Sequence, residues 1–273
     1  MHSAEVESAQ CKALLAAALS AVAPTDKVAL TLELARRVSR EQPDFSGVRI
    51  AATVGRPDQP RLVHPTKVPR RRLGTRAGHA ALVHSVAHIE FNAINLALDA
   101  AWRFEQMPAA YYHDWVCVAA EEATHFAMMS EHLAAFEHAY GDFDAHDGLW
   151  QMAEQTASDV MVRMALVPRV LEARGLDVTP GMRARLERLG DTRGVEILDV
   201  IARDEVGHVA IGTRWFRYVC AQRRLEPDQT FQRLLSDNLP QLPRGPFALD
   251  ARRRAGFSSV ELDWLRANGE RVR

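Results

Sequence analysis

Cysteine is scarce in this 273-residue chain. Cys11, Cys117 and Cys220 stand too far apart for a disulfide framework or a thiolate metal site, which favours a reducing, cytoplasmic setting. Neither sign of charge is in excess: 34 Lys and Arg against 35 Asp and Glu leave a formal net charge of −1. No global attraction to nucleic acid or to an acidic membrane follows, so binding of that kind needs a local patch. Long hydrophobic runs are missing too. The run "ALLAAALSAVA" is too short to cross a bilayer, and Glu5 and Glu7 stand before it where a secretory signal would carry basic residues. It reads as one side of a soluble helix, and no membrane association is expected. Strand signals are sparse: "VRIAATV" (48–54) is the only short candidate, inside a stretch from 41 to 78 punctuated by proline and glycine.

What is present is helix. Of the residues, 47% are hydrophobic and 25% charged, an ordinary globular composition with ample material for a core. From about 9 to 40 apolar positions recur at helical spacing, interrupted at Pro24, with Thr25 or Asp26 available as a cap. Four longer stretches follow, at roughly 78–107, 109–139, 149–174 and 191–221, each apolar over much of its circumference as helices inside a bundle are. Gly175, Pro180 and Gly181 are expected to bracket a short amphipathic piece, "MRARLERL". Prolines 227, 240, 243 and 246 precede a last helical segment, "SSVELDWLRANG", with Ser258 or Ser259 as its cap. The organisation expected is one all-α globular unit: N-terminal helices and a proline-rich wrap over 1–77, a four-helix bundle over 78–221, and a C-terminal extension over 222–273.

Two stretches, "AAEEATHFAM" (119–128) and "ARDEVGHVAI" (202–211), each place acids and a histidine in an apolar run. Residues three apart share a helix face, so Glu122 with His125 and Glu205 with His208 form two-pronged clamps. That face also carries Trp115, Val118, Met129 and Leu133 on one helix, and Leu198, Ile201, Gly212 and Trp215 on the other; it is the face to be buried. Glu90 lies 32 positions before Glu122, in line with Val83, Ala87, Ile94 and Ala97, and Glu172 lies 33 before Glu205, in line with Met161, Ala165 and Pro168. Four carboxylates converging on a core would repel one another and raise each other's pKa, whereas two divalent cations balance them and two imidazoles complete the ligands. Glu172 is the weakest member because it lies near a helix end; Asp159 and Glu154 are its substitutes. Pro168, one turn earlier, is expected to kink the helix, either re-aiming Glu172 or shortening the helix.

One Glu from each of two helices plus Glu-x-x-His from each of two others is the ligand set of ferritin-like di-iron and di-manganese proteins. At Glu90, Glu122, His125, Glu172, Glu205 and His208 the chain resembles that superfamily. Through "HSVAHIEFNAINLALDAAWRF", "VPRVLEARGLDVTPGM", "IARDEVGHVAIGTRWF" and "RGPFALDARRRAGFS" it is similar to a bacterial branch of it. The similarity covers most of the chain beyond about residue 60. Within the superfamily it is most similar in style to the tRNA-modifying non-haem di-iron monooxygenase that hydroxylates a modified adenosine. The resemblance implies a ferritin-like four-helix bundle holding two iron ions, with manganese or a mixed pair as alternatives. Glu122 and Glu205 would bridge at the reacting centre, Glu90 and Glu172 would be terminal, and His125 and His208 would complete one metal each. Glu121 and Asp204, which precede the clamps, would brace the histidines of the opposite halves.

The function this implies is an O2-activating oxidoreductase that hydroxylates or otherwise oxidises a small-molecule or modified-RNA substrate, with an external electron donor and a homodimer as a simple assembly. Two other classes compete: a ferroxidase, iron-handling or peroxide-scavenging protein without an organic substrate, and a metal-stabilised scaffold for RNA or protein. The scaffold reading draws on Arg70, Arg71, Arg72 and Arg76 and on Arg252, Arg253 and Arg254. No aromatics are interleaved with these for base stacking, so a solvated or salt-bridged surface is the simpler expectation. His84 and His88 are expected off the Glu90 face, His113, His132 and His138 in solvent, and Tyr111, Tyr112 and Trp115 in packing roles rather than a radical relay.

Overall fold

The computed structural model describes residues 2–41, 43–45 and 52–269. Regular structure among them is helical: α1 (His2–Ser20), α2 (Pro24–Glu41), α3 (Arg76–Arg103), α4 (Ala109–Ala134), α5 (Gly148–Gln155), α6 (Val160–Leu166), α7 (Ala173–Arg188), α8 (Thr192–Gln222), α9 (Pro227–Asn238), α10 (Leu249–Arg254) and α11 (Ser259–Gly269). A 3-10 turn covers Pro65–Lys67, and Leu62 and Ala145 form an isolated parallel bridge. The all-α expectation holds. Of "VRIAATV", positions 48–51 lie outside the described residues and 52–54 form no strand. No described helix is long and apolar enough to cross a membrane. The chain divides into two compact units, Met1–Trp150 and Gln151–Arg273, so the division falls inside the stretch 78–221.

In the first unit α3 and α4 form an antiparallel pair. The Thr75 hydroxyl accepts from Gly78 N and starts α3, and the five residues 104–108 turn the chain into α4. The pair is fastened at one end by the Tyr111 hydroxyl, which donates to Ala100 O at 3.2 Å, and further along by Phe91 against Phe126, ring centroids 5.3 Å apart. Tyr112 likewise donates to Phe104 O, so both tyrosines have packing and tethering roles. α1 packs on α3, and α2 on α4. α2 begins at Pro24 itself, whose fixed φ suits a first helical position, so Thr25 and Asp26 fall inside the first turn instead of capping it. Lys27, fully buried, donates to Ala18 O and Leu19 O at 2.9 and 2.8 Å, serving the last turn of α1 whose carbonyls have no intrahelical partner. The proline-rich wrap is pinned by Arg56 to Asp147 and by Arg61 to Asp144.

In the second unit α8 is the central rod, started by Asp191, whose Oδ1 accepts from Gly194 N at 2.8 Å. The third expected helix, 149–174, is broken. α5 ends at Gln155, and Asp159 caps a new helix by accepting from Met161 N at 2.7 Å. Pro168 has no N–H to give to the preceding turn and its ring crowds that turn; the helix responds by widening into a π segment, Val167–Glu172, rather than stopping. Beyond it α7 runs through Gly175, Pro180 and Gly181 without a break, which corrects the short bracketed piece expected there. Asp159 bonds Arg223 at 2.7 Å, Arg169 bonds Thr213 at 3.2 Å and Arg183 bonds Asp199 at 2.6 Å. These contacts fix one antiparallel register between the α6–α7 rod and α8, which sets Glu172 alongside the α8 turn of His208 and Val209.

Candidate metal centre

On the first unit the Glu90 and Glu122 carboxylates meet the His125 ring in the α3–α4 interior. Nδ1 of His125 stands 3.3 Å from Glu90 Oε2 and 3.4 Å from Glu122 Oε2. The three ligand atoms lie within 4.8 Å of one another, and all three side chains are buried. The geometry follows from the sequence: Glu122 and His125 share a face by their spacing, and the antiparallel pairing with α3 brings Glu90 to the same level. Phe91 and Phe126 close the interior beside them.

Such a cluster is electrostatically incomplete with protons alone. Burial, and then the charge of Glu122, hold the Glu90 carboxyl well above its ordinary value, with His125 opposing. Burial by itself would lower His125, but hydrogen bonding and charge from Glu122 and Glu90 outweigh it and push the imidazole up to about 11. Glu90 Oε2 receives no hydrogen bond of good geometry and faces the His125 ring. Two carboxylates and one imidazole turned inward without a Lys or Arg among them are the donor types that a borderline divalent cation takes, and a cation there would release the shared protons. The residues present therefore fit a metal ion.

On the second unit Glu205 and His208 are both buried, with His208 Nδ1 3.8 Å from Glu205 Oε1. Glu172 is buried as well, at the last position of the π segment. Its two substitutes fall away: Asp159 is committed to the α6 cap and to Arg223, and Glu154 is exposed. Each unit thus carries one Glu and one Glu-x-x-His in its interior.

Glu121 is exposed, and Asp204 is half-buried and held by the neighbouring Arg203 at 2.8 and 3.2 Å. His84 and His88 leave the Glu90 face as expected: His84 Nε2 accepts from Gly141 N at 3.0 Å, and His88 bonds the Tyr140 hydroxyl at 3.0 Å. His132, expected in solvent, is instead buried against Phe136, because α4 ends in a turn that folds that ring back over it.

The arginine clusters are not equivalent. Arg70, Arg71 and Arg72 are exposed, with Arg71 over the Phe143 ring, and Arg76 pairs with Glu137. Arg252, by contrast, is interior: Nη2 donates to Asp177 at 2.7 Å and to Ala173 O at 3.2 Å. This removes it from any surface patch. A second interior arginine, Arg169, bonds Glu261 at 2.7 Å and has no precedent in the sequence patterns, since the two lie 92 residues apart.

Residues 20–263 match a family model described as protein of unknown function (DUF455). A Haemophilus influenzae protein described as an uncharacterized protein is 49% identical over 216 residues, covering 77% of this chain and 75% of its own length. No solved structure matches.

Proposed function

This chain belongs to the DUF455 family, and for it we propose the activity that its two carboxylate–imidazole sets support best: a ferritin-like, non-haem di-iron oxidoreductase that activates O2 to oxidise an organic substrate. The observation that carries the reading is the approach of Glu90 and Glu122 to 3.3 and 3.4 Å from one ring nitrogen of His125 in a buried, apolar setting. Glu90, Glu122 and His125 would hold one iron, and Glu172, Glu205 and His208 the other. Ions in such ligand sets supply the redox chemistry that couples O2 reduction to substrate oxidation.

The chain's own contribution is to neutralise, orient and shield. Two carboxylates per set cancel the charge of a divalent ion, so that the occupied core is close to neutral. The imidazoles add nitrogen donors on rigid helices, where ligand geometry is held more firmly than on loops. Phe91, Phe126, Met129 and Leu133 keep the first set dry, and Leu198, Ile201 and Trp215 line the buried face of α8 around the second.

The test is metal analysis of protein purified from iron-supplied cells, beside Glu122→Ala and Glu205→Ala. About two metal ions per chain, falling sharply in both variants, is the expected result. O2 consumption should then require both a reductant and an organic substrate. A wild-type protein that takes up neither iron nor manganese defeats the reading.

A further inference from the structure

Two interior arginines grip the turn that carries Glu172. Arg169 lies three residues before it, fully buried, with Nε donating to Thr213 Oγ1 of α8 at 3.2 Å and Nη2 donating to Glu261 Oε1 of α11 at 2.7 Å. Three rings surround its guanidinium, those of Phe231, Phe257 and Phe216, at 4.1, 4.6 and 4.7 Å from the centroids. The residue just after Glu172 is gripped too: Arg252 of α10 donates to Ala173 O and to both oxygens of Asp177, and it shares the Phe257 ring with Arg169.

Glu261 is itself held in one orientation. Its Oε2 accepts from Ser258 N at 3.0 Å while the Ser258 hydroxyl accepts from Glu261 N at 3.0 Å, a reciprocal cap that starts α11. One carboxylate therefore closes a helix end with one oxygen and an arginine with the other. An ion pair buried this completely is a weak source of stability, because apolar residues of similar volume do as well. What it adds is direction. A π segment has one residue more per turn than the α-helices flanking it, and without an outside constraint the extra residue can relax elsewhere along the rod. Arg169 fixes the segment to α8 and to α11 at the position that decides where residue 172 points.

We infer that Arg169 and Glu261 are positioning residues for Glu172, locking the π segment so that its carboxylate faces the α8 turn of His208, and that the C-terminal helices are thereby part of the metal site. The inference rests on the proposed metal-binding role of Glu172. It assigns the segment 247–261 a task in ion binding instead of a covering role.

The experiment uses full-length, chelator-stripped protein titrated with Mn(II), counting bound ions by loss of the free-ion EPR signal. Arg169→Met/Glu261→Met replaces the pair by apolar volume and is expected to keep its helicity, with a melting temperature lowered only modestly by the lost bond from Ser258 N to Glu261. Its affinity for one of the two Mn(II) ions should fall about 10- to 100-fold while the other ion stays bound, and amide exchange at 167–172 should accelerate. Asp250→Ala, which breaks an exposed pair with Arg253 in the same segment, should change neither. If the double variant does not fold, Glu261→Gln keeps the side-chain shape and is read by the same two measurements. Two Mn(II) bound as tightly as in wild type, with unchanged exchange at 167–172, overturns the positioning role alone. No Mn(II) or iron bound by wild type overturns the proposed function and this inference with it.

Discussion

Pro168 and Gly212 meet face to face: a Cβ placed on Gly212 would lie 2.4 Å from both Cβ and Cγ of the proline ring. The ring is rigid and sits in the π segment, so neither partner can move aside cheaply. Gly212→Ala is therefore expected to destabilise the protein by about 1–3 kcal/mol, as over-packing does. Denaturant unfolding measures this, and the variant should also bind metal more weakly, because the displaced segment carries Glu172. An alanine variant with wild-type stability would mean that the two rods do not approach as described.

Metal-free and metal-loaded protein should respond to pH in opposite ways. Glu90 is raised above its ordinary value and His125 is raised to about 11. Each of these groups contributes stability that is complete below its unfolded pKa and is lost as pH rises through the folded one. Chelator-treated protein should thus lose stability from about pH 5 upward through these two groups. A bound cation needs the same ligands deprotonated, so its stabilising effect should grow over that range. Melting temperatures between pH 5 and 8, with chelator and with anaerobic Fe(II), test this; a gap that narrows with rising pH contradicts it.

His84 predicts an acid-side loss. Burial, reinforced by His88, lowers its pKa to about 4 from an ordinary 6.5, so the folded state resists protonation that the unfolded chain accepts. Stability from this group is present above 6.5 and drains away as pH falls toward 4. His84→Gln, whose side-chain oxygen can still accept from Gly141 N, should flatten the profile in that window.

Asn95 is fully buried on α3, and neither its amide nitrogen nor its amide oxygen has a hydrogen-bond partner among the described residues. A polar group desolvated in this way is a cost. Asn95→Leu is expected to leave stability unchanged or raise it by about 1 kcal/mol, read by chemical denaturation. A large loss would show that the amide serves a contact with something this chain meets only in solution.

How far the sequence could be read depended on the distance over which each feature is encoded. α3, α4 and α8 were legible to within a few residues because their apolar periodicity is unbroken, and the Glu-x-x-His clamps because three residues on a helix share a face whatever surrounds them. The repeated spacing picked out Glu90, which the structure sets beside Glu122 and His125, and the buried position of Glu172. The 149–174 stretch misled, since its apolar rhythm continues across a break made by Asp159 capping and across a widening made by Pro168. The continuity of α7 through Pro180 runs against local propensity, and Arg252, which holds Asp177 and Ala173 O, ties that helix to the C-terminal segment. Arg169 and Glu261, far apart in the chain, leave no local signature.

Lys27 has a consequence for observing the protein at work. Its amine is enclosed at the end of α1, and burial pulls its pKa down to about 7, so near neutrality much of it is an uncharged nucleophile shut away from reagents. Acylating agents can reach it only when the α1–α2 hairpin parts. The rate at which Lys27 is labelled, set against that of exposed Lys67, is thus a built-in clock for the breathing of the N-terminal hairpin.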